Sequence, residues 1–272
     1  HTDNRRQRQM CIRDRSMGPP SSGGPLIIQM LNMLENFEVQ AMKRNSTEFV
    51  HMLTEIQRLA YADRAIHLGD PDFYPSPVPM LISKDYAKER LGLISMDKAT
   101  PSSEIAAGST TPESMETTHY SAMDKFGNTV GITTTINLSF GNKKIVDGAG
   151  FLLNNEMDDF ASSPGSQNAF GLIGYEANSI KPAKRPLSSM SPTIVLNPEG
   201  ESLMTIGAAG GSRIITTVLQ VIISVVDHKL NVQEAINLGR THSQWIPDVI
   251  RYEGINNICL LYTSPSPRDV ST

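Results

Sequence analysis

Residues 117–137 read Thr117-Thr118-His119-Tyr120-Ser121-Ala122-Met123, then Asp124-Lys125-Phe126-Gly127-Asn128, then Thr129-Val130-Gly131-Ile132-Thr133-Thr134-Thr135-Ile136-Asn137. Two runs with strand-type composition flank a Gly-Asn turn, and this pattern predicts a β-hairpin. Pairing Asp124 with Thr129 and counting outwards sets Thr117 opposite about Ile136, within a residue or two. Successive side chains of a strand point to opposite faces. Thr133, Thr135 and Asn137 therefore share one face, and Val130, Ile132, Thr134 and Ile136 the other. The hairpin alone brings a polar ladder beside Thr117. A threonine in a strand usually reports strand propensity and nothing more, so its meaning depends on its neighbours.

Working outward, residues 97–116 carry Pro101, Ser102, Ser103, Gly108, Ser109, Thr110, Thr111 and Pro112 with no periodicity. They predict an exposed linker that ends at Thr117. Upstream, Gly23-Gly24 is expected to precede a helix starting near Pro25. Ser46 is expected to cap a second helix that carries Phe49, Leu53, Ile56 and Ala60 and stops at Gly69, and a short helix should cover Lys84 to Leu93. Downstream, Pro192–Leu196 and Ser202–Ile206 form a second predicted hairpin. The glycine-rich turn Gly207-Ala208-Ala209-Gly210-Gly211-Ser212 then leads into an apolar helix from Arg213 to about Asp227. Asn231 and Glu234 have the spacing of a capping box. A loose linker, a threonine, hydroxyl neighbours and a glycine turn offering backbone N–H donors are the parts of acyl-transfer chemistry: nucleophile, orienting groups and oxyanion site.

The two ends read differently. Taken back into codons, Arg5 to Asp14 and Cys259 to Asp269 are each compatible with a sequencing-adapter sequence, so residues 1–16 and 259–272 are expected to be artefact and are left out of fold reasoning. The first sixteen residues carry net +3, which removed from the chain's −4 leaves −7 for the middle, the last fourteen being neutral. No basic stripe remains to suggest nucleic acid or an anionic membrane as partner. Both cysteines, Cys11 and Cys259, fall in these ends, so the middle holds no disulfide or cysteine metal site. The histidines lack ligand spacing, and no metal or cofactor is expected. No apolar run reaches the length of a membrane span.

Four motifs stand in order: Thr-Thr-His-Tyr-Ser from 117, Leu-Asn-Asn-Glu-Met-Asp-Asp-Phe from 153, Lys-Arg-Pro-Leu-Ser-Ser-Met-Ser-Pro from 184, and Gly-Gly-Ser-Arg-Ile-Ile from 210. Together they resemble the gamma-glutamyltranspeptidases, which are N-terminal-nucleophile hydrolases, and the resemblance covers residues 17–258. It implies an α/β (α+β) fold, an incomplete four-layer αββα sandwich. Residues 17–116 would be the end of a large subunit and 117–258 the start of a small one, both cut from one precursor at Glu116-Thr117.

The resemblance also implies roles. Thr117 is the nucleophile that attacks gamma-glutamyl amides, Thr135 holds its hydroxyl, and Gly210 and Gly211 form the oxyanion hole. Asn137, Glu156 and Asp159 hold the substrate α-ammonium, and Ser188 and Ser189 its α-carboxylate. Pro164 to about Tyr175 matches a lid, with Phe170 where many bacterial members carry tyrosine. The implied partners are glutathione and other gamma-glutamyl compounds, with amino acids or dipeptides as acceptors, and the implied location is periplasmic or secreted. An arginine that clamps the α-carboxylate belongs to a part of the family pattern outside this chain, so the chain alone is expected to be inactive or nearly so. A β-lactam side-chain acylase of the same superfamily, or a homologue that binds without cleaving, are the alternatives. Asp159, Ser188 and Ser189 favour an amino-acid head group over the acylase.

Overall fold

The computed structural model describes residues 6–8, 12–102 and 117–253, with the side chains of 6–8 and 12–14 left aside. The expected linker residues 103–116, with Glu116, lie outside the described residues. In chain order the elements are β1 (Arg6–Arg8), β2 (Ile12–Ser16), α1 (Gly23–Leu34), α2 (Thr47–His67), α3 (Val78–Leu81), α4 (Lys84–Leu91), β3 (Thr117–Met123) and β4 (Thr129–Thr135). They continue with β5 (Thr193–Leu196), β6 (Ser202–Ile206), α5 (Arg213–Val226), α6 (Val232–Asn237), β7 (Thr241–His242) and β8 (Arg251–Tyr252). Strands β1-β2-β5-β6 form an antiparallel sheet, while β3-β4 and β7-β8 are two-stranded. Strand β2 lies in the stretch that the sequence reading set aside, yet it pairs with β5 from Arg13↔Leu196 to Ser16↔Thr193.

Local rules explain most boundaries. Ser46 accepts a hydrogen bond from the Phe49 N–H and starts α2, Ser83 does the same for α4 through Tyr86, and Asn231 with Glu234 forms a complete capping box on α6. Helix α1 begins two residues before the expected Pro25, so the glycine pair forms its first turn. The reason is space: a Cβ on Gly23 would lie 2.1 Å from Ser191 Oγ, and one on Gly24 would lie 2.1 Å from the Met17 carbonyl.

Helices α1, α2 and α5 make the core, with Leu26, Met30, Phe49, Leu53, Val218 and Ile222 fully buried. Helix α2 buries polar side chains as well. Arg58 pairs with Glu55 at 3.0 Å and Asp248 at 2.6 Å, and Asp63 pairs with Arg90 at 3.1 Å. Burial of an ion is tolerated when its partners are in place. The apolar spacing of α2 showed one buried stripe; its polar stripe is buried because the segments around 100 and 248 pack on it.

Beyond α2, Asp70 fixes the chain that leads to the candidate site. It is fully buried, and its carboxylate accepts from the Arg185 backbone N–H at 2.9 Å, Nε at 2.9 Å and Nη2 at 2.6 Å. These bonds hold its carboxyl well below the usual range, at about 2. A depressed carboxylate stabilises the fold above its unfolded pKa and loses that contribution as pH falls through the folded value. Asp70→Ala is expected to cost about 3 kcal/mol at pH 7, because it strips several donors of one shared acceptor. In urea unfolding the gap between parent and variant should shrink between pH 4 and pH 2; a gap independent of pH would contradict the assignment.

Candidate active site

The hairpin register decides where Thr117 points. Met123 pairs with Thr129 and Thr117 with Thr135, one residue from the expected Ile136. The shift arises in the turn, where the Asp124 N–H donates to the Asn128 carbonyl at 3.0 Å, so that Asp124 faces Asn128 and not Thr129. The Asp124 carboxylate accepts from the N–H groups of Phe126 and Asn128 at 2.8 and 2.9 Å, with Gly127 at φ +85°. This register brings the Thr117 hydroxyl to donate to Thr135 Oγ1 at 3.4 Å, and Thr135 Oγ1 also accepts the Asn137 N–H at 2.9 Å. Asn137 lies past the strand end in the left-handed region, at φ +74°, and its buried side-chain amide donates to the Asn155 carbonyl at 3.1 Å.

One cleft is lined by Thr117, Thr135, Asn137, Asp159, Ser188, Ser189 and Gly211, together with Phe170, Met190 and Ile214. Seven of the nine predicted site residues thus converge from segments up to 94 positions apart. Gly210 and Glu156 do not line it. Gly210 sits one residue behind Gly211. Glu156 begins the 3₁₀ turn Glu156–Asp159, and burial raises its pKa.

Asp159 is the electrostatic centre of the cleft. Its carboxyl is pushed up to about 7, first by burial and then by the nearby Glu156 charge, against the opposing pull of Arg64 and a hydrogen bond from Asn168 at 3.3 Å. Ser189 is buried and accepts from Arg64 Nη2 at 3.3 Å, while Ser188 Oγ accepts the Met190 N–H at 3.0 Å. Ser22, the residue that precedes α1, donates to the Ser188 carbonyl at 2.7 Å and so ties the backbone of the serine pair to the start of that helix. Each hydroxyl oxygen thus accepts one hydrogen bond from the protein, and each hydroxyl also carries an O–H that can donate.

Sequence reasoning missed Arg64 and Ser22. Arg64 reads as one more polar residue near a helix end, and Ser22 as part of a Pro/Ser/Gly stretch; only tertiary contact brings both to Ser188 and Ser189.

The glycine turn is conformationally demanding. Gly210 and Gly211 have φ +122° and +55°, the region that glycine alone adopts readily. Among the described residues neither glycine N–H meets an acceptor, and helix α5 starts two residues on. A Cβ on Gly211 would stand 2.3 Å from the Phe170 ring, which packs over the turn. Gly211→Ala is therefore expected to displace Phe170 and close the cleft, and a crystal structure or the Phe170 ring NMR shifts would check it. Of the histidines, His119 is held by Thr133 at 2.9 Å and Ser121 at 3.0 Å, and burial lowers its pKa. Among the described residues no cluster of three metal-ligating side chains exists, and no helix is long and apolar enough to cross a membrane.

Comparison with known proteins places the chain in a family. The family model described as Gamma-glutamyltranspeptidase matches residues 6–259, reaching into the stretch before residue 17. The glutathione hydrolase proenzyme of Escherichia coli (strain K12) is 50% identical over 239 residues, which is 88% of this chain and 41% of that protein. The glutathione hydrolase proenzyme of Pseudomonas sp. (strain A14) is 46% identical over 238 residues, again 88% of this chain and 41% of that protein. The cephalosporin acylase structure from Bacillus halodurans superposes with a TM-score of 0.69 at 23% identity, over 85% of this chain and 39% of that one, and so shares the fold. The chain spans about two fifths of the length of these two glutathione hydrolase proenzymes. With its four motifs gathered around one cleft and a family match along nearly its whole length, the chain belongs to the gamma-glutamyltranspeptidase family.

Proposed function

We propose that the chain is a segment of a self-processing gamma-glutamyl transferase and hydrolase, with residues 17–116 ending the large subunit, 117–258 beginning the small one, and the outer ends foreign to it, although the pairing of β2 with β5 argues for keeping residues 12–16 with the fold. The single observation that carries the reading is the meeting of Thr117, Thr135, Asp159, Ser188, Ser189 and Gly211 in one cleft. In the first reaction the Thr117 hydroxyl attacks the Glu116 carbonyl and the amide becomes an ester. The peptide C–N bond breaks in that shift and frees the Thr117 amine, and water then cleaves the ester to release the Glu116 carboxylate and restore the Thr117 hydroxyl. That amine serves as the base for its own hydroxyl in the second reaction, attack on a gamma-glutamyl amide such as glutathione. The amine of the amide leaves with a proton, and the threonyl ester passes its acyl group to water or to an amino acid or dipeptide.

The electrostatics support an amino-acid head group. Asp159, with Asn137 and Glu156, suits the α-ammonium, and Ser188 with Ser189, backed by Arg64, suits the α-carboxylate. Gly210 and Gly211 offer N–H donors to the oxyanion, each worth about 3 kcal/mol in such a site. The fold likeness supports an αββα sandwich of which these residues are part, and the family points to a periplasmic or secreted enzyme.

The test uses a full-length gene carrying this segment and compares a gamma-glutamyl anilide with a glutaryl anilide, which lacks the α-ammonium. The gamma-glutamyl anilide should turn over at least about 100-fold faster, the worth of one charged contact. Equal or reversed preference would favour the acylase.

A further inference from the structure

Behind the glycine turn lies a buried polar side chain that no step above uses. Gln244 is 4% exposed and follows β7. Its Oε1 accepts from Ser212 Oγ at 2.6 Å and from His242 Nε2 at 2.9 Å. Its Nε2 donates to the Phe170 carbonyl at 3.1 Å and the Ile246 carbonyl at 3.3 Å. Both lone pairs and both N–H bonds of the amide are engaged. Two carbonyls on one side fix its orientation, because a flipped amide would set oxygen against oxygen. The flip would also remove the acceptor that the buried His242 Nε2–H uses.

Ser212 is the residue after Gly211, and Phe170 is the residue whose ring covers Gly211. Gln244 therefore grips the glycine turn with its oxygen and the 164–175 segment with its nitrogen. Tyr61 on α2 adds a second grip, donating to the Ser212 carbonyl. A turn that must present N–H groups to a developing charge needs its geometry fixed in advance, since small displacements cost large factors in rate.

We infer that Gln244 is a positioning residue: it latches the 164–175 segment onto the Gly210–Gly211 turn, so that the cover and the N–H donors move as one unit. The catalytic side of this inference rests on the proposed function; the latch itself does not.

The experiment therefore reads the two separately. In a Thr117→Ala background, which keeps one covalent chain, hydrogen exchange is followed by mass spectrometry for peptides covering 164–175, 207–213 and 213–226. Gln244→Met is expected to speed exchange in 164–175 about five- to tenfold, the worth of one or two hydrogen bonds, with 213–226 unchanged. Gln244→Glu keeps the acceptor for Ser212 but removes the donor to Phe170. It should free 164–175 and leave 207–213 protected, a split that general loosening of the fold would not produce. Unchanged exchange of 164–175 in both variants overturns the latch.

In the chain with Thr117 present, Gln244→Met should slow scission about tenfold or more. Scission at the parental rate overturns the link to the glycine turn. A parent that never cuts counts against the proposed function, while the exchange result still decides the latch.

Discussion

Thr117→Ala leaves the chain at full mass after incubation at neutral pH, while the parent separates into two fragments, one beginning at Thr117. The expected effect is the largest for any single substitution here, on the order of a million-fold in rate, because the variant has no hydroxyl to form the ester. Thr117→Ser keeps the nucleophile and is expected to cut at a reduced rate, since its side chain lacks the methyl that helps fix the rotamer. Thr135→Val removes the hydroxyl that meets Thr117 Oγ1 at 3.4 Å while keeping the strand register, and should slow scission without abolishing it. Denatured intact mass distinguishes all four chains. Cutting at the same bond in Thr117→Ala would assign the scission to a contaminating protease and remove the nucleophile from this reading.

Asp159→Asn is expected to act in opposite directions on stability and on binding. The Asp159 carboxyl has its pKa raised from 3.8 to about 7, chiefly by burial. A group whose folded pKa lies above its unfolded value binds the extra proton in the folded state, so its buried charge destabilises the fold above pH 7. That penalty fades as pH falls through 7 and is gone below the unfolded value. The asparagine variant should therefore be more stable than the parent at pH 8, by about 2 kcal/mol once partial solvent contact is allowed for, and equal to it near pH 4.

Binding runs the other way. An α-ammonium group needs the ionised carboxylate, so affinity for a gamma-glutamyl ligand should fall as pH drops below 7, by about tenfold per unit. The asparagine variant should bind about 100-fold more weakly at pH 8 and show no such slope. Urea unfolding and titration calorimetry between pH 5 and 8 measure both. Ligand affinity of the parent that stays flat across this range would take Asp159 out of ammonium binding. A destabilising charge kept in a cleft is what a binding site costs the fold.

Elements whose signals are local were legible in the chain. The caps at Ser46 and Asn231, both hairpins, and the apolar helix from Arg213 each follow from side chains that interact within a few residues. The helix start at Gly23 was misplaced because the demand for glycine comes from Ser191 and Met17, which lie elsewhere in space. The hairpin register was one residue off because the Asp124 carboxylate captures the turn amides, a choice that strand counting does not include.

The site divides along the same line. The motifs and the resemblance they carry were enough to name Thr117, Asp159, Ser188, Ser189 and the glycine pair as candidates, and all but Gly210 line one cleft. That Gly210 and Gly211 adopt positive φ, which glycine tolerates best, came only with the structure. Only the tertiary structure decided how those residues are held: Arg64 and Ser22 behind the serines, Phe170 over Gly211, and Gln244 between the 164–175 segment and the turn. The physical reason is range. Propensity and capping act through neighbours along the chain, whereas burial, desolvation of Asp159 and the hydrogen bonds of Gln244 depend on surfaces that meet only when α1, α2 and α5 close the core.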